Sequence, residues 1–218
     1  MISILMPIYN GIEFIDTSVK SVINQTYKDW ELIIGVNGHP LNSPVYKKAL
    51  EASKQDEKRI TVIDMFECKG KSNALNKMVK IAQNSWVALL DVDDAWLPKK
   101  LESQIQFMKL YDVIGTHCKY FGDSNLSPSI PVGDISNFNF TRVNPIINSS
   151  CLVKKELCYW DSEHDGVEDY DMWLRLRKNN LKFYNVHTIQ VMHRIHNNSA
   201  FNANGNNNKV ASLLEKYR

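Results

Sequence analysis

The stretch 86-WVALLDVDDAW-96 decides the fold and raises the question of function. Trp86 to Leu90 is an unbroken apolar run and reads as a strand buried on both faces. Three carboxylates then follow within four residues, Asp91, Asp93 and Asp94. Negative charge at the end of a buried strand is costly unless a positive partner sits there.

Working outward, the same pattern recurs. "ISILMPIYN" reads as a buried strand, Ile2 to Met6, stopped by Pro7 and the turn pair Asn10-Gly11. Ile12, Ile15, Val19, Val22 and Ile23 then fall at helical spacing. A second strand, Glu31 to Val36, ends at Asn37-Gly38. "SPVYKKALEASKQ" predicts a helix, "RITVIDM" a third strand, "KSNALNKMVKIAQ" a helix, and "LPKKLESQIQFMKL" a helix with proline in its first turn. Four strand–helix alternations with apolar strands imply a mostly parallel, Rossmann-like α/β sheet flanked by helices. Ligands of such sheets bind outside the carboxyl ends of the strands. Pro7 to Asn10, Asn37-Gly38 and Asp91 to Asp94 all lie at those ends and are expected to share one crevice.

The second half is less regular. "DVIGTHCKYFG", "NSSCLVKKE" and "LKFYNVHTIQVMHRIH" read as strands, the last as one or two, and "EDYDMWLRLRKNN" as a helix. "NNSAFNANGNNNK" is an asparagine-rich polar loop before a terminal helix "KVASLLEKYR". No repeat or linker divides the 218 residues. One domain is expected, made of a first half (1–96), a second half (97–200), and the loop with its helix (201–218).

With 26 basic against 24 acidic residues and no basic stripe, the chain does not read as a nucleic-acid binder. No apolar run reaches the length of a membrane span, and the N-terminus reads as a core strand rather than a signal peptide. The four cysteines, Cys68, Cys118, Cys151 and Cys158, form no close-spaced pair and read as reduced thiols, so a cytoplasmic setting is expected.

Asp91 and Asp93 suit a hard divalent cation, magnesium or manganese. A solvated acidic turn capping the helix near Leu97 is the alternative; the place after a parallel-sheet strand favours the cation. Neither GxxxxGK[ST] nor GxGxxG is present. Gly70-Lys71 precedes a helix whose N-terminus suits an anion, although an ordinary helix start with an exposed lysine fits as well.

The segments "ISILMPIYNGIEFIDTSVKSVINQTYKDWELIIGVNG", "GKSNALNKM", "WVALLDVDDAWLPKKL", "VEDYDMWLRL" and "MHRIHNNSA" together resemble family 2 glycosyltransferases of the GT-A fold, from Ile2 to Ser199. The resemblance implies a metal-dependent inverting transfer of sugar from a nucleotide-sugar donor, most readily a UDP-sugar, to a hydroxyl of a glycan, protein or lipid acceptor. Pro7, Tyr9 and Asn10 match the nucleoside pocket, and Asn37, Lys71, Asn76, Asp91 and Val92 complete the expected donor site. Asp91, Asp93 and His196 are the implied ligands of manganese or magnesium, with Asp93 the likelier direct ligand of the two aspartates, Asp94 acting through water, and His193 competing with His196. Asp169 is the implied general base, with Glu168 orienting it or binding the acceptor; helix capping is the alternative for both. Asn37 replaces the family's usual aspartate, which leaves guanine- and thymine-containing donors open beside uracil. Trp96 and Trp160 are candidate sugar platforms, with core packing the default. The competing functions are a nucleotidyltransferase, which lacks its glycine-rich basic loop here, and a non-catalytic binding module of the same fold.

Overall fold

The computed structural model describes residues 1–196 and 206–217. The end of the late segment, Asn197 to Ala200, and most of the asparagine-rich stretch lie outside the described residues. The first half runs β1 (Ile2–Ile8), α1 (Ile15–Ile23), β2 (Trp30–Asn37), α2 (Pro44–Ser53), β3 (Ile60–Met65), α3 (Lys71–Ile81) and β4 (Trp86–Leu89). The second half continues with β5 (Ala95–Trp96), α4 (Lys100–Ile105), β6 (Val113–Gly122), β7 (Gly133–Asp134), β8 (Leu152–Lys154), α5 (Glu168–Lys178), β9 (Phe183–Ile195) and α6 (Asn206–Glu215).

One sheet joins both halves, in the order β3-β2-β1-β4-β8-β6-β9-β5, with β7 on β9. The pairs β1–β2, β1–β4, β2–β3 and β6–β9 are parallel. β8 runs against both β4 and β6, so β6 and β9 point the same way as the first four strands. The strands show why continuous apolar runs were required. On β1, Ile2, Ile4, Met6 and Ile8 enter one core while Leu5 enters the other; on β4, Trp86, Ala88 and Leu90 oppose Val87 and Leu89. Alternation sends successive side chains to opposite faces, and both faces are covered. α1 and α2 pack on the first face through Ile15, Val19, Val22, Ala49 and Ala52; α3 and α5 pack on the second through Leu75, Met78, Met172 and Trp173.

One detail departs from expectation, and one that was left open is decided. The helix after Pro98 stops at Ile105 rather than running on to Leu110. Beyond it the amides of Phe107, Met108 and Leu110 bond three residues back, a turn pattern, while buried Gln104 donates to the carbonyls of Ile114 and Ser150. The late segment is one long strand, β9, with register shifts against β6 at Thr116 to Cys118. The four cysteines form no disulfide. No helix of the described residues is long and apolar enough to cross a membrane.

Candidate active site

A cavity of about 1800 Å³ opens where the parallel strands end. Its wall takes Pro7, Tyr9 and Asn10 from the end of β1, Asn37-Gly38 from β2, Asp91 to Asp93 from the turn after β4, Lys71 from α3, Glu168 and Asp169 from α5, and His193 and His196 from β9 and just beyond. Pro7, Tyr9, Asn10, Asn37, Gly38, Asp91 and Asp93 therefore share one crevice as expected, and Asp94 does not. Gly38 has φ +73, and a Cβ there would lie 2.8 Å from the Tyr9 ring, so this corner admits only glycine. Tyr9 is 58% exposed; its carbonyl is bonded by His39 Nε2 at 2.6 Å, and the His39 ring lies 5.4 Å from its own.

The counter-charge to the acidic turn is Lys71. Its Nζ lies 2.6 Å from Asp91 Oδ1 and 3.5 Å from Glu168 Oε1. The other Asp91 oxygen accepts from Asn148 Nδ2 at 2.9 Å, and the Asp91 amide donates to Ser149 Oγ at 3.0 Å. Burial opposes ionisation of Asp91, but Lys71 outweighs it and holds the carboxyl below its usual range. Burial also opposes the charge on Lys71, and Asp91 and Glu168 reverse that, raising its pKa. Asp91, expected as a metal ligand, has both its oxygens engaged here, one by the Lys71 cation and one by the Asn148 amide. The alternative of an ordinary helix start with an exposed Lys71 does not hold.

Asp93 is placed differently. Its Oδ2 lies 3.0 Å from His196 Nε2, and both side chains are about one-fifth exposed. Burial, then the charges of Asp94 and Asp91, push the Asp93 carboxyl up from its ordinary value. Asp94 turns the other way. It is 1% exposed, accepts from the Arg194 amide at 2.8 Å and meets His193 Nδ1 at 3.0 Å. Its expected action through water gives way to a structural one, pinning the turn to β9. Arg194 completes this lock: its Nε donates to the Asp93 carbonyl at 2.9 Å, and its guanidinium lies between the rings of Phe14 and Phe121, 4.2 Å from each. Of the two competing histidines, His196 is the one against Asp93. Burial works against charge on His193, but Asp94 dominates and raises its pKa to about 9.

The chemistry of the pair fits a divalent cation: Asp93 Oδ2 and His196 Nε2, hydrogen-bonded to each other at 3.0 Å, are an oxygen donor and an imidazole donor. Among the described residues no set of three or more His, Cys, Asp or Glu side chains is arranged to hold a metal alone. A two-donor protein site suits magnesium or manganese, whose remaining positions go to substrate phosphates and water.

Asp169, the second residue of α5, also lines the cavity. Its Oδ2 accepts from Asn144 Nδ2 at 3.2 Å. Burial, then the neighbouring Glu168 charge, raise its pKa to about 6, against the opposing pull of Lys71. Glu168 is 5% exposed and accepts from the Gly166 amide at 2.6 Å, so it braces the turn that presents Asp169.

Not every expected residue belongs here. Asn76 lies behind the cavity, exchanging two hydrogen bonds with the Trp160 backbone at 2.6 and 3.0 Å; its amide joins α3 to the chain before α5. Trp160 is fully buried, and Trp96 is 4% exposed with its Nε1 on the Ser149 carbonyl, so both serve the core rather than a sugar. Val92 is 6% exposed and lines the cavity under Gly11. Asn144, Asn148 and Ser149 escape sequence reading: Asn144 lies in an irregular stretch, Asn148 and Ser149 form a short turn where a strand was expected, and only proximity in the fold gives them meaning.

The comparisons with known proteins bear on the family and the fold. Residues 3–152 match the family "Glycosyl transferase family 2". An uncharacterized glycosyltransferase of Methanocaldococcus jannaschii, MJ1057, is 33% identical over 214 residues, covering 90% of this chain and 71% of that one. The Escherichia coli UDP-Glc:alpha-D-GlcNAc-diphosphoundecaprenol beta-1,3-glucosyltransferase WfaP is 27% identical over 205 residues, covering 90% and 78%. Among solved structures, Staphylococcus aureus TarS 1-349 in complex with UDP matches with TM-score 0.75 at 15% identity, over 99% of this chain and 64% of that chain. The Pyrobaculum calidifontis mannosyltransferase PcManGT, in complex with GDP-Man and Mn2+, matches with TM-score 0.71 at 13% identity, over 91% and 58%. The chain thus spans about three-fifths of the solved proteins it resembles, and at these identities the likeness concerns the mixed α/β GT-A fold alone.

Proposed function

The chain belongs to glycosyl transferase family 2 and is a glycosyltransferase, and from that premise we propose that it moves a sugar from a nucleotide-sugar, a UDP-sugar first, to an acceptor hydroxyl with inversion at the anomeric carbon. The observation that carries this reading is one cavity lined both by an oxygen–imidazole pair, Asp93 and His196, and by a carboxylate of raised pKa, Asp169.

Asp169 accepts the acceptor's hydroxyl proton. A carboxylate titrating near 6 is a stronger base than an ordinary one and remains ionised at neutral pH. As the proton moves to Asp169, the acceptor oxygen bonds to the anomeric carbon, and the carbon–oxygen bond to the diphosphate breaks with its electron pair leaving on the diphosphate. Attack opposite to departure inverts the centre. Asp93 and His196 are the residues that would hold manganese or magnesium, which when bound supplies positive charge to the leaving diphosphate. Glu168 and Asn144 orient Asp169, and Lys71 neutralises Asp91 and Glu168 in the wall beside it. Tyr9 offers an exposed ring for the base. Asn37, 5% exposed at the end of β2, offers an amide oxygen to a base N–H.

The UDP preference draws support from the UDP bound to TarS and the donor named for WfaP, and GDP-sugars stay in view through PcManGT. The acceptor is a hydroxyl-bearing glycan, protein or lipid carrier. Four unpaired cysteines support a cytoplasmic setting. The test is hydrolysis of UDP-glucose, UDP-galactose, UDP-N-acetylglucosamine and GDP-mannose with and without manganese. Turnover of one donor that requires the metal is expected. Intact nucleotide binding with no turnover of any donor, alone or with simple sugar acceptors, would turn the reading toward a binding module.

A further inference from the structure

α3 begins without a cap of its own. Gly70, the residue before its first turn, has φ +82 and no side chain to offer the exposed amides. The cap comes from 93 residues away. Asp165 Oδ1 accepts from the Ser72 amide at 2.9 Å and from Ser72 Oγ at 2.5 Å. Ser72, fully buried, also donates to the Asp161 carbonyl at 3.2 Å. The junction is tight: a Cβ on Gly70 would lie 1.8 Å from Asp165 Oδ2. From the other side, Lys209 on α6 donates to the Asp165 carbonyl at 2.7 Å.

Position makes this contact more than a cap. Ser72 directly follows Lys71, the cation of the acidic wall. Asp165 lies four residues before Asp169 and leads through Gly166 into α5. A single carboxylate therefore joins the helix that presents the cation to the segment that presents the carboxylate at about 6. We propose that Asp165 is a positioning residue for sugar transfer, capping α3 from across the fold and holding Lys71 in register with the Gly166 to Asp169 segment. This rests on the reading of Asp169 as the base. The donor pair Asp93–His196 sits on other elements, so the tether acts on transfer rather than on donor capture.

The test uses the whole chain as Asp165→Ala, Asp165→Asn and Ser72→Ala. Hydrogen exchange without ligand comes first. In Asp165→Ala, peptides covering 70–76 and 166–172 should both exchange about tenfold faster, as expected for loss of a capping carboxylate. Asp165→Asn keeps an acceptor oxygen and should stay near wild type, with Ser72→Ala between the two. Kinetics follow, with whichever of UDP-glucose, UDP-N-acetylglucosamine or GDP-mannose turns over with manganese. For Asp165→Ala, kcat should fall about 10- to 100-fold with donor KM changed by less than about twofold, the cost of a misplaced reacting group. Asp165→Asn should recover most of kcat. A purely structural cap would lower melting temperature without splitting kcat from KM. Wild-type kcat in Asp165→Ala, equal losses in the Ala and Asn variants, or loosening confined to 162–168 would each overturn the proposal. Failure of the base reading shows separately, as an Asp169→Asn enzyme that still turns over.

Discussion

Replacing Lys71 with methionine tests how the acidic wall is held together. Methionine keeps the length and most of the apolar stem and removes the charge. Lys71 Nζ stands 2.6 Å from Asp91 and 3.5 Å from Glu168, with side-chain exposures of 33% for the lysine, 23% for Asp91 and 6% for Glu168. Removing one member of a fully buried pair costs about 3–5 kcal/mol. Partial exposure of Lys71 screens the charges, so about 2–3 kcal/mol is expected here. For a chain of this size that corresponds to a fall of about 5–10 °C in melting temperature.

The loss should depend on pH in a definite direction. In the native protein Asp91 has a lowered pKa, so its contribution is present above its unfolded value and lost as pH falls through the folded one. Without Lys71, burial acts on Asp91 against only the Asn148 hydrogen bond and the His193 charge, and its folded value rises. Such a group favours the folded state only while protonated, so the deficit of Lys71→Met should grow as pH rises from 4 towards neutrality. Asp169 also loses the cation that opposes its raised pKa, so the acid limb of kcat/KM should move upward. Lys71→Arg should restore much of both. Thermal unfolding at several pH values together with a pH–rate profile measures this. A variant with unchanged melting temperature at pH 7.5 and an unmoved acid limb would refute the assignment of Lys71 as the counter-charge.

Asp93→Ala and His196→Ala should each weaken manganese-dependent UDP binding by more than about tenfold; titration calorimetry with and without the metal measures it, and equal affinities under both conditions would exclude the pair as ligands. Asp169→Asn should lower kcat by about 10²- to 10⁴-fold while leaving donor affinity and melting temperature near wild type, and the wild-type rate should fall as pH drops through about 6, where Asp169 takes up its proton. Gly70→Ala should destabilise by more than about 1 kcal/mol, because φ is +82 and the added methyl meets the Asp165 carboxylate; chemical denaturation gives the value. Lys100 is fully buried over the Trp96 ring, and burial lowers its pKa to about 7. Lys100→Met should therefore stabilise by about 1–3 kcal/mol. That gain should shrink as pH rises from 7 to 10, since the wild type then folds with a neutral amine.

Much of the fold was legible because parallel strands and their covering helices leave a local signature. An apolar run such as Val87 to Leu90 must have cover on both sides, and helical spacing such as Ile15, Val19 and Val22 supplies it. The carboxyl-end rule then placed Tyr9, Asn37 and Asp93 in one crevice before any coordinates. Asn76 misled because its place on a helix beside the crevice says nothing about which way the amide faces; it faces the Trp160 backbone.

What sequence alone determined is the alternation of strand and helix, the end of the sheet where chemistry occurs, and the acidic turn and late histidines that belong to it. These depend on neighbours within a few residues, where backbone geometry is nearly uniform. Only tertiary structure decided the pairing of charges across the cavity. Lys71 meets Asp91, His196 meets Asp93, His193 goes with Asp94, and Asp165 caps a helix 93 residues earlier. Each pair joins distant parts of the chain, and an ångström or two of sheet twist and helix rotation selects the partner. Charge attraction has no sequence period, so its choice of partner is made only when the chain has folded.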